Sequence, residues 1–254
     1  MTITKERDLQ GMRAACQVAR MVLDEVSDFI QPGRTTREVD RFAAERMKAH
    51  GARSAFLNYR KFPCHSCISV NEQIVHGVAS ERRLEFGDIV SLDIGVFYHG
   101  YVGDTARTVA VGGCGVEAQR LMDVTERALY EGIAQAVPGH RVTDISRAVQ
   151  NYVEGNGYSV VREFVGHGVG RAVHEDPQIP NYVDAKCNQK LHAGMALAIE
   201  PMVNAGKPDT RVLEDQWTVV TADGQLSAHF EHTVMVTKTE PEILTVVPKE
   251  LLKS

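Results

Sequence analysis

Four acidic residues stand inside apolar, strand-like stretches: Asp93 in "IVSLDIGV", Asp104 in "YVGDTART", Glu200 in "ALAIEPMV" and Glu231 in "SAHFEHTVMV". An unpaired carboxylate in such surroundings is costly, so each needs a charge partner, a metal ion or a raised pKa. Glu231 taken alone reads as an exposed strand position. Asp93 and Asp104 stand on either side of a Gly-containing turn. A hairpin centred between Tyr98 and His99 would place them directly opposite one another, with Cβ atoms about 4.5–5.5 Å apart. Four acids at one centre repel unless they share protons or cations. "EFVGHGVGRAVHEDP" supplies the imidazoles: His167 between Gly166 and Gly168, and His174 seven residues later. An oxygen-rich donor set with one or two imidazoles suits divalent Mn, Fe, Co or Zn. Most of the ten histidines read as packed or solvated residues. No functional expectation is attached to His50, His65, His99, His140, His192 or His229.

The elements that must position these groups show an internal repeat. "IQPGRTTREVDRFAAERMKAHG" (30–51) matches "AVPGHRVTDISRAVQNYVEGNG" (136–157) at a constant offset of 106 residues. Ala15, Val18, Val22 and Leu23 stand opposite Leu121, Val124, Ala128 and Leu129 at the spacing of an apolar helix stripe. Each half therefore reads as helix, Pro-Gly turn, helix. Thr35 and Glu38 have capping-box spacing, and Gly51 and Gly157 stand where a left-handed residue closes a helix. The strand regions repeat as well: "LEFGDIVSLDIGV" (84–96) aligns with "LHAGMALAIEPMV" (191–203), and Asp93 falls on Glu200. Both segments read as buried strands, so two related halves would meet about a pseudo-twofold axis and each would contribute acids to a shared centre.

Composition narrows the field. The 254 residues are 43% hydrophobic and 24% charged, with a formal net charge of −5. That is a globular composition without the basic footprint of a nucleic-acid binder. The polar start "MTITKERDLQ" does not read as a signal peptide, and no apolar run is long enough to suggest a membrane span. Five scattered cysteines suggest a reducing compartment, so a cytoplasmic protein is expected. Cys64 and Cys67 form a lone CxxC that reads as a loop with two thiols, since no second CxxC completes a zinc site.

With "SLDIG…GDTART", "REFVGHGVGRAVHEDPQIP", "MALAIEPMV" and "SAHFEHTVMV" in that order, the chain resembles the type I methionine aminopeptidases of the bacterial short form, from about residue 5 to 247. The resemblance implies an α+β pita-bread fold, with two pseudo-symmetric halves around a central antiparallel sheet. It implies a single catalytic domain over 1–254 with an internal duplication, approximately 8–110 and 115–240. It also implies two divalent metal ions held by Asp93, Asp104, His167, Glu200 and Glu231. Asp104 and Glu231 would bridge them, Asp93 would chelate one, and His167 and Glu200 would bind the other. Glu200 would be the general base. His76, in "VNEQIVHGVA", and His174 would contact the substrate amide and carbonyl oxygen.

The methionine pocket would be lined by Phe56, Tyr59, Phe62, Cys67, Met202 and Trp217. Phe56, Phe62 and Val173 depart from residues common in the family, which bears on pocket size. The expected activity is removal of the N-terminal methionine from peptides and nascent chains with a small second residue. No nucleic acid or membrane partner is expected, no basic patch marks a ribosome contact, and a monomer is expected. The alternatives are a related pita-bread hydrolase such as a prolidase, or a non-catalytic peptide-binding relative of the same fold.

Overall fold

In the computed structural model, which describes residues 2–3 and 5–246, four long helices flank a nine-stranded sheet. Helices α1 (Glu6–Phe29) and α2 (Thr36–Ala49) belong to the first half, α3 (Val116–Ile133) and α4 (Val142–Gly155) to the second. The two helix pairs turn alike. Gly33 and Gly139, the glycines of the two Pro-Gly turns, have φ of +87° and +94°, a region closed to most side chains. Gly51 and Gly157 take φ of +72° and +84° just past the ends of α2 and α4. The α2 N-terminus carries a full capping box: Glu38 N donates to Thr35 Oγ1 and Thr35 N donates to the Glu38 carboxylate. No helix among the described residues is long and apolar enough to cross a membrane.

The strands that matter for the site are β1 (Cys67–Val70), β2 (Ile89–Tyr98), β3 (Tyr101–Ala110), β4 (Gly166–Gly168), β5 (Glu175–Ile179), β6 (Ala196–Ile199), β7 (Met202–Asn204), β8 (Ser227–His229) and β9 (Glu231–Met235). The main sheet runs β2–β3–β9–β6–β4–β5, antiparallel throughout. β1 and the short Arg53–Ser54 strand pair with β2, and Glu242–Ile243 pairs with β9. Strand β9, late in sequence, thus fills the gap between β3 of the first half and β6 of the second. Two apolar clusters support the sheet. One joins α1 and α2 to β1 and β2, and the other joins α3 and α4 to β6 and β9. Helix α1 lies hard against β3: a Cβ on Gly103 would fall 2.3 Å from Ala15 O. Only glycine permits that approach.

The β2–β3 hairpin corrects one expectation. Its two-residue turn is His99–Gly100, not Tyr98–His99, and Tyr98 pairs with Tyr101. Both turn residues have positive φ, +48° and +88°, as a type I′ turn requires, and Gly100 suits the second position. The register therefore pairs Asp93 with Ala106 and Asp104 with Gly95. The two aspartates share a face as diagonal neighbours rather than as a directly opposed pair.

A second correction concerns "ALAIEPMV". The strand reading predicts one continuous element, but β6 ends at Ile199. Pro201 cannot donate to a ladder, and β7 resumes at Met202 in a different, three-stranded sheet with β8 and Ser159–Val160. Glu200 occupies the break between the two strands.

Candidate metal centre and its cavity

The sheet register gathers the five expected donors. Asp93, Ala106 and Glu231 pair successively across β2, β3 and β9. His232 pairs with Ile199, so the same rung continues to Glu200 just beyond the end of β6. One rung along on the same face lie Gly95 and Asp104, then Thr233, Ala198 and His167. Thr233 Oγ1 donates to Asp104 O at 2.7 Å and ties β9 to β3 within this rung. Five adjacent strands thus deliver one donor each onto two neighbouring rungs. Ala106, Gly95, Ala198 and the hydrogen-bonded Thr233 hold the intervening places, and their small size leaves the donors room to converge.

Close strand approach around His167 depends on its two glycines. A Cβ on Gly166 would stand 2.4 Å from Ala198 O, and one on Gly168 would stand 2.2 Å from Asp176 O. Asn181 Nδ2 donates to Glu200 O at 3.0 Å and fixes the backbone at the strand break.

The centre is buried and short of internal partners. Asp104 is 3% exposed and Glu231 2%. Asp93 Oδ1, Asp104 Oδ1 and Glu231 Oε1 are buried without a hydrogen-bond partner. Burial raises the Asp93 pKa to about 7. It raises Asp104, Glu200 and Glu231 well above the usual carboxylate range, with mutual repulsion as the next cause. His167 goes the other way, to about 3, through burial and then the neighbouring His174.

His167 Nδ1 lies 2.9 Å from Gly168 O, which can only accept, so the ring proton belongs on Nδ1. Nε2 then presents a lone pair, 3.3 Å from Glu200 Oε1, another electron-rich atom. One donor atom each from Asp104, His167 and Glu231 fall within 4.8 Å of one another. Leaving several ionised carboxylates here without a cation would cost several kcal/mol per ion. The donor set, the orphaned oxygens and the freed imidazole lone pair fit divalent metal ions.

All five donors open onto one cavity of about 280 Å³, also lined by Phe56, Tyr59, Phe62, Cys67, His76, Val173, His174 and Trp217. Phe62 and Trp217 meet edge to face at 5.2 Å, and Cys67 of β1 stands opposite Asp93 of β2 in the sheet register. Gly95 makes room for the pocket wall, since a Cβ there would fall 2.3 Å from the Phe56 ring. His76 has φ of +58° and lies edge-on to Phe164 at 5.3 Å. Burial, then His174, lowers its pKa to about 4. His174 stands at the mouth. Tyr59 stacks on it, Tyr59 Oη lies 2.9 Å from its Nδ1, and its ring is 4.3 Å from that of His167. The desolvating wall and then the Arg60 charge lower its pKa.

Met202 does not belong to this wall. It is fully buried among Ile74, Val75, Val161 and Val219, because the break at Glu200–Pro201 sends β7 into the other sheet. Sequence reasoning also missed several residues. Arg60, Glu163, Phe164 and Val165 line the cavity. His229, 1% exposed, brings Nε2 to 3.7 Å from Glu200 Oε2. The three residues 163–165 immediately precede "GHG", and that proximity was the available signal. His229 had none beyond its place two residues before Glu231.

Residues 10–238 match metallopeptidase family M24. The chain belongs to that family. Over 245 residues it is 48% identical to a methionine aminopeptidase of Clostridium perfringens, covering 96% of this chain and 98% of that protein. A crystal structure of methionine aminopeptidase from Rickettsia prowazekii superposes with a TM-score of 0.94 at 41% identity, covering 97% of this chain and all of that one. The prolidase of Pyrococcus furiosus shares the fold (TM-score 0.80, 24% identity), with the match spanning 66% of that longer chain. The architecture is the pita-bread fold of M24 metallopeptidases. In a member of this family the buried Asp, Glu and His donors have an evident use, the binding of divalent metal.

Proposed function

We propose that this M24 metallopeptidase is a methionyl aminopeptidase that removes the N-terminal methionine of peptides and nascent chains whose second residue is small. The observation that carries the reading is that the five-donor centre and an apolar wall of Phe56, Phe62, Cys67 and Trp217 line the same cavity of about 280 Å³, a polarisable wall that suits an unbranched thioether side chain. Asp93, Asp104, His167, Glu200 and Glu231 would hold two divalent ions, with Co, Mn, Fe and Zn all compatible with this donor set. When bound, the ions supply Lewis acidity and lower the pKa of attacking water toward neutrality.

The chain's own groups do the rest. Phe56, Phe62, Cys67 and Trp217 exclude water from the methionine side chain. Glu200, a carboxylate at the donor centre that also lines the cavity, accepts the proton of the attacking water and returns it to the departing amide nitrogen. His76 is neutral at pH 7 and hydrogen-bonds the substrate amide. His174, fixed by Tyr59, donates to the carbonyl oxygen as negative charge develops there. The same reading treats 1–254 as one catalytic domain whose halves, approximately 8–110 and 115–240, arose by duplication. The matched positive-φ glycines of the two helix pairs support this.

The test is hydrolysis of Met-Ala-Ser and Met-Leu-Ser by metal-stripped protein across a Mn or Co titration. Metal-dependent release of methionine from the first peptide alone is the expected result. Release of the first residue from an Xaa-Pro peptide, with none from Met-Ala-Ser, would replace the reading with a prolidase-type one.

A further inference from the structure

His229 ends β8 with its main chain locked. Its N–H donates to Thr108 Oγ1 and its carbonyl accepts from that hydroxyl, both at 2.9 Å, and it pairs with Met202 of β7. The imidazole therefore starts from a fixed point beside the strand break that carries Glu200. Its Nε2 is buried without a hydrogen-bond partner, a rare condition for a polar atom in a folded interior. It is aimed at Glu200 Oε2, 3.7 Å away. That is about half an ångström beyond a normal N–H···O bond. The terminal torsion of a glutamate has a broad minimum, so a small rotation of the carboxylate closes the gap. The opposite oxygen, Oε1, faces the lone pair of His167. Glu200 thus lies between two imidazoles: His167 presents a lone pair to Oε1, and the unpartnered Nε2 of His229 faces Oε2.

We propose that His229 is a positioning residue for Glu200: its neutral imidazole donates Nε2–H to Oε2 and fixes the carboxylate plane, turning Oε1 toward the donor centre. His229 does not line the cavity and touches neither substrate nor the reacting atoms. Its effect passes wholly through Glu200. The inference rests on the aminopeptidase reading for the role of Glu200.

Three forms of the full chain test it: wild type, His229→Leu, which removes the donor, and His229→Gln, which keeps an N–H near the same place. Binding of Mn²⁺ to metal-stripped protein is measured by titration calorimetry, and kcat and KM are measured on Met-Ala-Ser. Leucine should weaken Mn²⁺ binding about 10- to 100-fold, as loss of an outer hydrogen-bond partner does. It should lower kcat while KM stays within about twofold, and glutamine should restore most of both losses. In a Glu200→Gln background, His229→Leu should produce no further loss of Mn²⁺ affinity. If the leucine protein does not fold, His229→Asn, whose amide is too short to reach Glu200, takes its place against His229→Gln. Unchanged Mn²⁺ affinity and kcat in the donor-free variant, or an equal loss in the Glu200→Gln background, would overturn the proposal. A wild-type protein that releases no methionine would instead overturn the aminopeptidase reading.

Discussion

The His167 Nε2 lone pair and Glu200 Oε1 face each other across 3.3 Å, because the ring proton of His167 is committed to Gly168 O on the far side. Once Glu200 is ionised, two electron pairs point into the same gap. A cation placed there converts the repulsion into two bonds. The main chain of Glu200 is fixed independently, by the Asn181 Nδ2 bond to its carbonyl.

Glu200→Gln keeps the shape of that side chain and removes its capacity to take a proton. Turnover of Met-Ala-Ser should fall at least about 100-fold, the lower end of what a general base contributes. KM should change little, because the pocket residues are untouched. Steady-state kinetics at saturating metal check this, and near-normal kcat would remove Glu200 from the base role.

Stability without metal should decline as pH rises. The folded pKa of Asp93 is about 7, above that of a free aspartate, and Asp104, Glu200 and Glu231 are raised as well. A carboxyl with a raised pKa binds more proton in the folded state, so its protonation favours the fold at low pH and that benefit is lost as pH rises through the folded pKa. The buried histidines, with pKa values of about 3 to 4, act oppositely but only below about pH 6.5. Between pH 6.5 and 8 the carboxyls outweigh the fading histidine contribution, and the buried thiols, also raised, act in the same direction. Thermal melts of chelator-treated protein should show Tm falling across that window. One pKa unit is worth about 1.4 kcal/mol, which corresponds to about 3–6 °C in a domain of this size. Saturating Mn should abolish the slope. A chelated protein whose Tm rises over this window would contradict the burial of these acids.

Tyr59→Phe deletes the hydroxyl beside His174 Nδ1 but keeps the stacked ring. Loss of one net hydrogen bond of about 0.5–1.5 kcal/mol should lower kcat about 2- to 10-fold. His174→Ala should cost considerably more. Equal losses in the two variants would mean that Tyr59, rather than His174, is the group that meets the substrate.

Gly95→Ala tests the pocket wall from behind. The added Cβ would land 2.3 Å from Phe56, and the ring must move into the cavity. KM for methionyl peptides should rise about tenfold with a smaller change in kcat, and stability should fall by about 1–3 kcal/mol from overpacking. A Phe56→Leu, Gly95→Ala double variant should recover part of the KM, and failure to recover would place the fault in the sheet instead.

How much of this was legible in the sequence varies by physical scale. The acids and His167 announced themselves, because charge in an apolar run and a histidine between two glycines are local signals. The helix pairs and their closing glycines were legible for the same reason. Register was not. Moving the β2–β3 turn by one residue, to His99–Gly100, converts opposed aspartates into diagonal ones. The deciding preference, positive φ at both turn positions, is weak in sequence until Gly100 is given more weight than the symmetry of the acids. Met202 was expected in the pocket from the resemblance alone, and the change of sheet at Pro201 carries it into a separate apolar cluster. Phe164 could have been found from its place just before Gly166–Gly168, whereas His229 reaches Glu200 through tertiary proximity, with no local signal beyond its place two residues before Glu231.

The central strand of the sheet, β9, is made almost last. A chain emerging from its synthesis holds Asp93 and Asp104 in one hairpin long before Glu231 exists, and β6 has no partner on that side until then. β3 and β6 are therefore joined only after the strand that carries Glu231 has been made, and a donor arrives with the strand that joins them. Topology makes the step that completes the sheet the step that completes the donor set.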